Sequence, residues 1–392
     1  MRRTHDLRPC RFLVLLVGML AMLPPGLAAA PVFDTKAPHA ILMDADSGTV
    51  LFEKAADELT PPASMAKLML IEYVFHALKE GRLSLDDEFV ISEHAWRTGG
   101  ASSGGSAMFA KLNSSVPLGD LLRGIIIQSG NDASIAVAEG IAGTELAFAD
   151  LLNARAKEIG MTNSTFRNAT GLPDPEQRTT MRDLAILARH IIRQYPDLYP
   201  MFAEREFTWN DVTQRNRNPL LDEGIGADGL KTGHTEESGY GLVGSAKSGT
   251  QRLILAMNGL ESMSERKAEA RKLLDWGFRS FRQITPFEDG EAVAEADVYG
   301  GAKGSVPLKA EGPLRVLVSR AASEPLKARV VYKGPLMAPV SPGVQVGSFQ
   351  VLQGERVIQE TPLYTAEAVE EGSLHQRALD AVGELLFGWI PS

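Results

Sequence analysis

The sequence changes character near Ile284, and that change limits the possible folds more than any other feature. Before it, segments with apolar residues at three- and four-residue spacing alternate with short runs of branched and aromatic residues, so helices and strands share one unit. After it, residues 285–372 are rich in Val, Gly and Pro. Short alternating runs such as Leu314 to Val318, Ala328 to Tyr332, Gln345 to Leu352 and Arg356 to Ile358 occur there with little helical periodicity. A chain of 392 residues also exceeds one average domain. The expectation is therefore α+β: a mixed domain over 31–284, then a small all-β, sandwich-like domain over 285–372.

Within the first domain, His39 to Met43 and Thr49 to Lys54 flank the turn Ala45-Asp46-Ser47-Gly48 and read as a β-hairpin. Helical spacing marks Met65 to Leu78, Leu118 to Ile127, Ala133 to Ala142, Glu145 to Ile159, Met181 to Arg193 and Ser264 to Phe278. Gly229 to Thr235, Gly241 to Ala246 and Arg252 to Met257 read as strands. With the hairpin they predict an antiparallel five-stranded sheet packed by helices. The polar, glycine-rich stretch from Gly99 to Gly105 predicts a mobile loop.

The two ends differ from both domains. Arg2, Arg3, Arg8 and Arg11 precede an apolar run from Phe12 to Leu23, and Ala28-Ala29-Ala30 follow. The run spans about 18 Å as a helix, too short for a bilayer, so residues 1–28 predict a signal peptide and an exported protein. The cut is expected after Ala28, or as late as Ala30, where Pro31 would follow it. Removing 1–28 leaves 36 basic and 48 acidic residues, a formal charge of −12, and takes away Cys10, the only cysteine. Disulfide and thiol chemistry are thereby excluded, and the acidic balance argues against nucleic acid as a partner. At the other end, residues 373–392 place Leu374, Ala378, Leu385 and Trp389 on one helical face and Gln376, Asp380 and Glu384 on the other. The expectation is an amphipathic helix lying on a membrane surface; a helix docked on the β domain or on a partner subunit is the alternative.

Three short motifs carry the chemistry: Ser64-Met65-Ala66-Lys67, Ser129-Gly130-Asn131 and Lys231-Thr232-Gly233. Ser64 and Lys67 lie three residues apart at a helix start, on one face. Burial together with the second ammonium at Lys231 would depress the Lys67 pKa, so that a neutral amine takes the serine proton. Ser129 and Asn131 fall in a turn between helices, where a hydroxyl and an amide can face the same centre. Lys231 and Thr232 on a strand suit a carboxylate, and Gly233 leaves room for a chain along the strand edge. A second Ser-x-x-Lys, Ser264 to Lys267, opens a helix beside the capping pair Ser262 and Glu265 and reads as structural.

The set and its order match the motifs of penicillin-recognising serine enzymes. With Ala40 to Gly48, Pro62 to Lys67, Gln128 to Ala133, Thr213 to Asn218, Asp228 to Thr235 and Leu273 to Phe278, the chain resembles the low-molecular-mass penicillin-binding proteins of peptidase family S11, the D-alanyl-D-alanine carboxypeptidases. The resemblance implies a penicillin-binding, β-lactamase-like transpeptidase fold and a Ser64 acyl-enzyme formed from a peptidoglycan stem pentapeptide, with β-lactam antibiotics as covalent inhibitors. It implies Lys67 as general base with Ser129 and Asn131 assisting. Lys231, Thr232 and Arg217 would hold the terminal carboxylate, and the amides of Ser64 and His234 would form an oxyanion hole. It implies no cofactor. For His234, a pH dependence of deacylation and a plain strand histidine both stand open.

Rival readings are weaker. A class A β-lactamase needs a deacylating Glu after the second motif, and Thr165 to Leu172 has no Glu-x-x-x-Asn. A non-catalytic envelope scaffold would not need every catalytic side chain. His39, His76, His94, His190, His234 and His375 are scattered without ligand spacing, which argues against a metal.

Overall fold

The structure, a computed structural model, describes residues 33–320 and 325–375; the expected signal peptide and the tail from 376 onward lie outside them. The described chain divides into two units after Arg279.

In the first unit, β1 (His39–Asp44) and β2 (Val50–Lys54) form the opening hairpin, and α1 (Lys67–Lys79) follows a 3₁₀ turn over Ala63–Ala66. A short pair, β3 (Glu88–Val90) and β4 (Ser115–Pro117), precedes α2 (Leu118–Gln128), α3 (Asn131–Ala142), α4 (Glu145–Glu158) and α5 (Met181–Gln194). Next come β5 (Glu206–Trp209), β6 (Val212–Arg215), β7 (Ala227–Thr235), β8 (Gly239–Ser248), β9 (Gln251–Leu260) and α6 (Met263–Ser280).

The main sheet has the order β2-β1-β9-β8-β7, every pair antiparallel, which is the five-stranded arrangement expected from sequence. Both faces are covered. Along β1, Ile41 and Met43 join one apolar cluster with α1, α2, α3 and α5, while Ala40 and Leu42 join a second with α6. A strand buried on both faces loses polar alternation, which is why these strands read as near-continuous apolar runs. Helix α1 threads the first cluster and is buried almost all round. Its single acidic residue, Glu72, is held by Arg155 Nη2 at 2.9 Å and Tyr195 Oη at 2.8 Å.

Three local features bear on the site. A short helical turn over Ala95–Gly99 leads into the glycine-rich stretch Gly99 to Gly105, and within that stretch Ala101–Ser103 form a second. Gly99 is needed there because a Cβ would collide with the Asp132 amide nitrogen. Helix α3 begins at Asn131, two residues before the expected start, because Gly130 takes the capping position. The β5–β6 hairpin was not anticipated; its turn residues Asn210 and Asp211 lie at φ 47° and 63°, as a tight two-residue connection requires.

The second unit is all β: β10 (Phe281–Phe287), β11 (Ala294–Tyr299), β12 (Ser305–Lys309), β13 (Leu314–Ser319), β14 (Leu326–Tyr332), β15 (Leu336–Met337), β16 (Gln345–Gln353) and β17 (Arg356–Thr365). A β10–β13 pair accompanies a six-stranded sheet of order β14-β16-β17-β12-β11-β15. Val306, Leu308, Val351 and Leu363 are among its buried centre. Ile284 pairs with Val316, so the point where the sequence changes texture falls inside β10.

Candidate active site

The Ser64 turn is set by what precedes it. Pro61-Pro62 bars a regular element, Met65 donates to the Pro62 carbonyl at 3.1 Å, and Ala63 takes φ 47°. One turn later Lys67 is fully buried. Its Nζ lies 3.1 Å from Ser64 Oγ and 2.8 Å from Asn131 Oδ1, and it donates to the Thr170 carbonyl. Burial pushes the Lys67 pKa down to about 7, helped by the repulsion of Arg217 and opposed by Glu145 and Asp132.

That value gives the three contacts chemical meaning. A neutral amine carries two N–H bonds and one lone pair. With the Asn131 and Thr170 oxygens accepting two of its hydrogens, the protonated amine donates its third to Ser64 Oγ, and loss of that proton would turn a lone pair to the same hydroxyl.

Ser129 caps α2 in the left-handed region, φ 62°, and its Oγ is buried with no hydrogen-bond partner among the described residues. A buried unpaired hydroxyl costs about 1–3 kcal/mol, so it suits a group that finds its partner only when substrate is bound. Asn131 is fixed from behind. Its amide donates to the Ser106 carbonyl at 2.7 Å. The neighbouring Asp132 accepts from Met108 N at 2.9 Å and Ala110 N at 3.1 Å, which ties down the segment carrying Ser106.

Across the turn lies β7, the edge strand of the sheet. Lys231 is buried, its Nζ 3.1 Å from the Thr232 carbonyl, and burial followed by Lys67, Arg217 and Arg266 holds its pKa well below the ordinary lysine range. Arg217 follows β6, and its Nη1 donates to Ser106 Oγ. Among the described residues the polar partners of Lys231, Arg217 and Arg266 are the Thr232 carbonyl, Ser106 Oγ and the Gly241 carbonyl, none of them a carboxylate, so the pocket is electrostatically prepared for an anion. His234 is exposed and stacks on Tyr240 with ring centroids 3.9 Å apart; the Arg266 guanidinium sits 5.7 Å from the Tyr240 ring centre.

Two glycines bring the backbones together. At Gly233 a Cβ would stand 3.0 Å from the Pro62 oxygen and 3.1 Å from Met65 N, so this glycine seats β7 against the Ser64 turn. This close approach is a second use of the bare Cα, beside the room expected for a substrate chain. Gly171, at φ 78°, would bring a Cβ into the Ala63 carbonyl and to 2.9 Å from Ser64 N. Asn168 Oδ1 shapes that loop by accepting from Thr170 N at 3.2 Å and Gly171 N at 2.8 Å.

The structure thus brings Ser64, Lys67 and Asn131 into direct contact, with Lys231 and Arg217 near the Lys67 amine and Gly233 packed on the Ser64 turn; Ser129 and Thr232 are chain neighbours of Asn131 and Lys231, and His234 follows on β7. Sequence reasoning missed the Thr170 carbonyl, Ser106, Asp132, Gly171 and Arg266. Arg266 lies inside the second Ser-x-x-Lys; Ser262 Oγ does accept from Glu265 N at 3.1 Å there, yet the arginine that follows Glu265 comes close to Tyr240 and bears on Lys231.

Comparison with known proteins agrees with this geometry. A family profile described as D-alanyl-D-alanine carboxypeptidase matches residues 26–261, and one described as the C-terminal domain of penicillin-binding protein 5 matches 281–371. The chain is 40% identical to the D-alanyl-D-alanine carboxypeptidase DacC of Escherichia coli over 93% of this chain and 91% of that protein. It is 36% identical to DacA of the same organism over 89% and 88%. Penicillin-binding protein 5 of Haemophilus influenzae superposes with a TM-score of 0.78 at 36% identity, covering 87% of this chain and all of that one. Penicillin-binding protein D2 of Listeria monocytogenes, solved with ampicillin bound, does so with 0.55 at 27% identity over 64% of this chain. On profile matches to both units and on relatives 36–40% identical over about nine-tenths of their length, the chain belongs to the D-alanyl-D-alanine carboxypeptidases of peptidase family S11.

Proposed function

We propose that this protein removes the terminal D-alanine from peptidoglycan stem pentapeptides through an acyl-enzyme on Ser64, which limits cross-linking, and that β-lactams acylate the same oxygen. The observation that carries the reading is the Lys67 amine, buried, near neutrality and 3.1 Å from Ser64 Oγ. The substrate chain adds along the β7 edge, its terminal carboxylate held by Lys231, Thr232 and Arg217. Ser64 Oγ attacks the carbonyl between the two D-alanines while Lys67 takes its proton. The amides of Ser64 and His234 face the resulting oxyanion. Ser129, with Asn131 holding Lys67, returns a proton to the leaving D-alanine nitrogen. Water then hydrolyses the ester and frees a stem one residue shorter.

The same reading places the protein outside the cytoplasm, on the periplasmic side of the bacterial inner membrane, attached peripherally by residues 373–392. The supporting feature is the sequence pattern at the two ends. The tail has only His375 and Arg377 as cations, so attachment rests on apolar burial and should survive high salt. Release from membranes by salt alone would overturn it.

The function is tested by mass spectrometry after mixing the protein with benzylpenicillin, with peptide mapping of the adduct, alongside D-alanine release from a peptide ending in D-Ala-D-Ala. A penicilloyl group on Ser64 and free D-alanine are expected. An adduct without D-alanine would point to a sensor, rapid penicillin turnover to a β-lactamase, and no adduct would refute the reading.

The pH profile gives a further prediction. Lys67 must be neutral to accept the proton, and its pKa lies at about 7. Acylation should therefore be slow at acid pH, rise through about 7 and level off above it. An acylation rate flat between about pH 5 and 9 would rule out an amine base of this kind.

A further inference from the structure

Glu145 opens α4, directly after the capping residue Thr144. A carboxylate in a first helical turn ordinarily turns back toward its own free amides. This one does not. Its Oε1 accepts the N–H of Ala169 at 2.9 Å, and its Oε2 lies 3.6 Å from Nε2 of His94. Ala169 is buried, and the next residue, Thr170, supplies the carbonyl that accepts from Lys67. Three side chains hold the loop: Asn168 closes its turn from within, Gln177 accepts from the Arg167 and Asn168 amides, and Glu145 fastens Ala169 from α4.

The charges that face Lys67 come from four elements besides its own. Arg217, from the segment after β6, repels its ammonium, and Asp132 on α3 and Glu145 on α4 attract it; Lys231 on β7 faces it too, with its own pKa pushed down by burial and then by Lys67. Asp132 spends both oxygens on the Met108, Ala110 and Ala133 amides. Glu145 keeps one oxygen off the backbone, facing a half-exposed imidazole, and its side chain is only 17% exposed, so its field is little screened.

We infer that Glu145 is a positioning residue for the Lys67 amine: through the Ala169 amide it fixes the Thr170 carbonyl against Nζ, and its carboxylate stabilises the protonated form. The inference rests on Lys67 as the base that activates Ser64. Its sign follows directly. Without the negative charge the ammonium is less favoured, so Lys67 gives up its proton at lower pH and the acid limb of acylation moves down.

The test is the second-order rate of acylation by benzylpenicillin across about pH 5 to 9 in wild type, Glu145→Gln, Glu145→Ala and Lys67→Ala, with a thermal melt of each. Gln still accepts from the Ala169 N–H, so its plateau should stay within about threefold of wild type while the acid limb falls by about half a pH unit or more. Ala loses the fastening as well, and its plateau should drop about tenfold with the same shift of the limb. A Gln variant whose limb coincides with wild type overturns the inference, as does a Gln plateau that falls while the limb stays in place. If Lys67→Ala acylates like wild type, the base assignment itself has failed, an outcome the Glu145 variants alone cannot produce.

Discussion

Ser64→Ala is expected to abolish penicillin acylation and D-alanine release together, lowering kcat/KM by about 10⁴-fold or more. Among the described residues, Ser64 is the hydroxyl whose oxygen meets the buried amine of Lys67, so no neighbour stands ready to replace it. Lys67→Ala should cost a comparable factor, because an alcohol without a base in reach is a poor nucleophile at neutral pH. The double variant should be little worse than either single one, since the two groups act as a unit. Cleavage of a D-Ala-D-Ala peptide by Ser64→Ala at more than about 1% of the wild-type rate would mean that a different atom attacks.

Gly171→Ala is expected to disable the enzyme without touching a catalytic side chain. At φ 78° an alanine costs about 1–2 kcal/mol, and its Cβ meets the Ala63 carbonyl and Ser64 N, backbone atoms that cannot swing aside. Either the loop retreats and takes the Thr170 carbonyl from Lys67, or the Ser64 turn shifts; both misplace the nucleophile and base relative to each other. A displacement of about 1 Å at reacting atoms costs about 10²-fold, and kcat/KM should fall at least that far. Gly143→Ala is the matching control, since Gly143 also has φ 78° but no atom within 4 Å of a Cβ. It should lose about 1 kcal/mol of stability, or about 2–4 °C in melting temperature, at unchanged activity. Equal kinetics for the two variants would show that the Gly171 contact is unimportant.

The helices, the five strands of the sheet and the all-β second unit were legible because each rests on apolar periodicity, which depends only on side chains. Ser64, Lys67, Ser129, Asn131 and Lys231 were legible because chemistry restricts those positions to few residue types. The Thr170 carbonyl was invisible for the opposite reason: every residue has a carbonyl, and the loop's place beside Lys67 is fixed by Asn168, Glu145 and the bare Cα of Gly171. Arg266 was hidden by its surroundings. It sits in a helix start that makes complete sense as a capped terminus, and only the packing of α6 brings it to Tyr240 and Lys231. The β5–β6 turn did carry a signal, Asn210-Asp211 between Phe207, Trp209 and Val212, of the kind that favours tight hairpins.

Lys67 and Lys231, both fully buried, and Arg266, largely so, put three basic groups into the interior, where burial disfavours the charged form of each. Replacing such a group with an apolar side chain of similar length commonly stabilises a protein. Lys231→Met is therefore a change that stability alone would favour, and catalysis is what opposes it. A duplicate released from catalysis should shed these lysines before its sheet strands change, and should melt higher for having done so. In a lineage of such copies, the survival of both lysines serves as a fossil record of continued turnover.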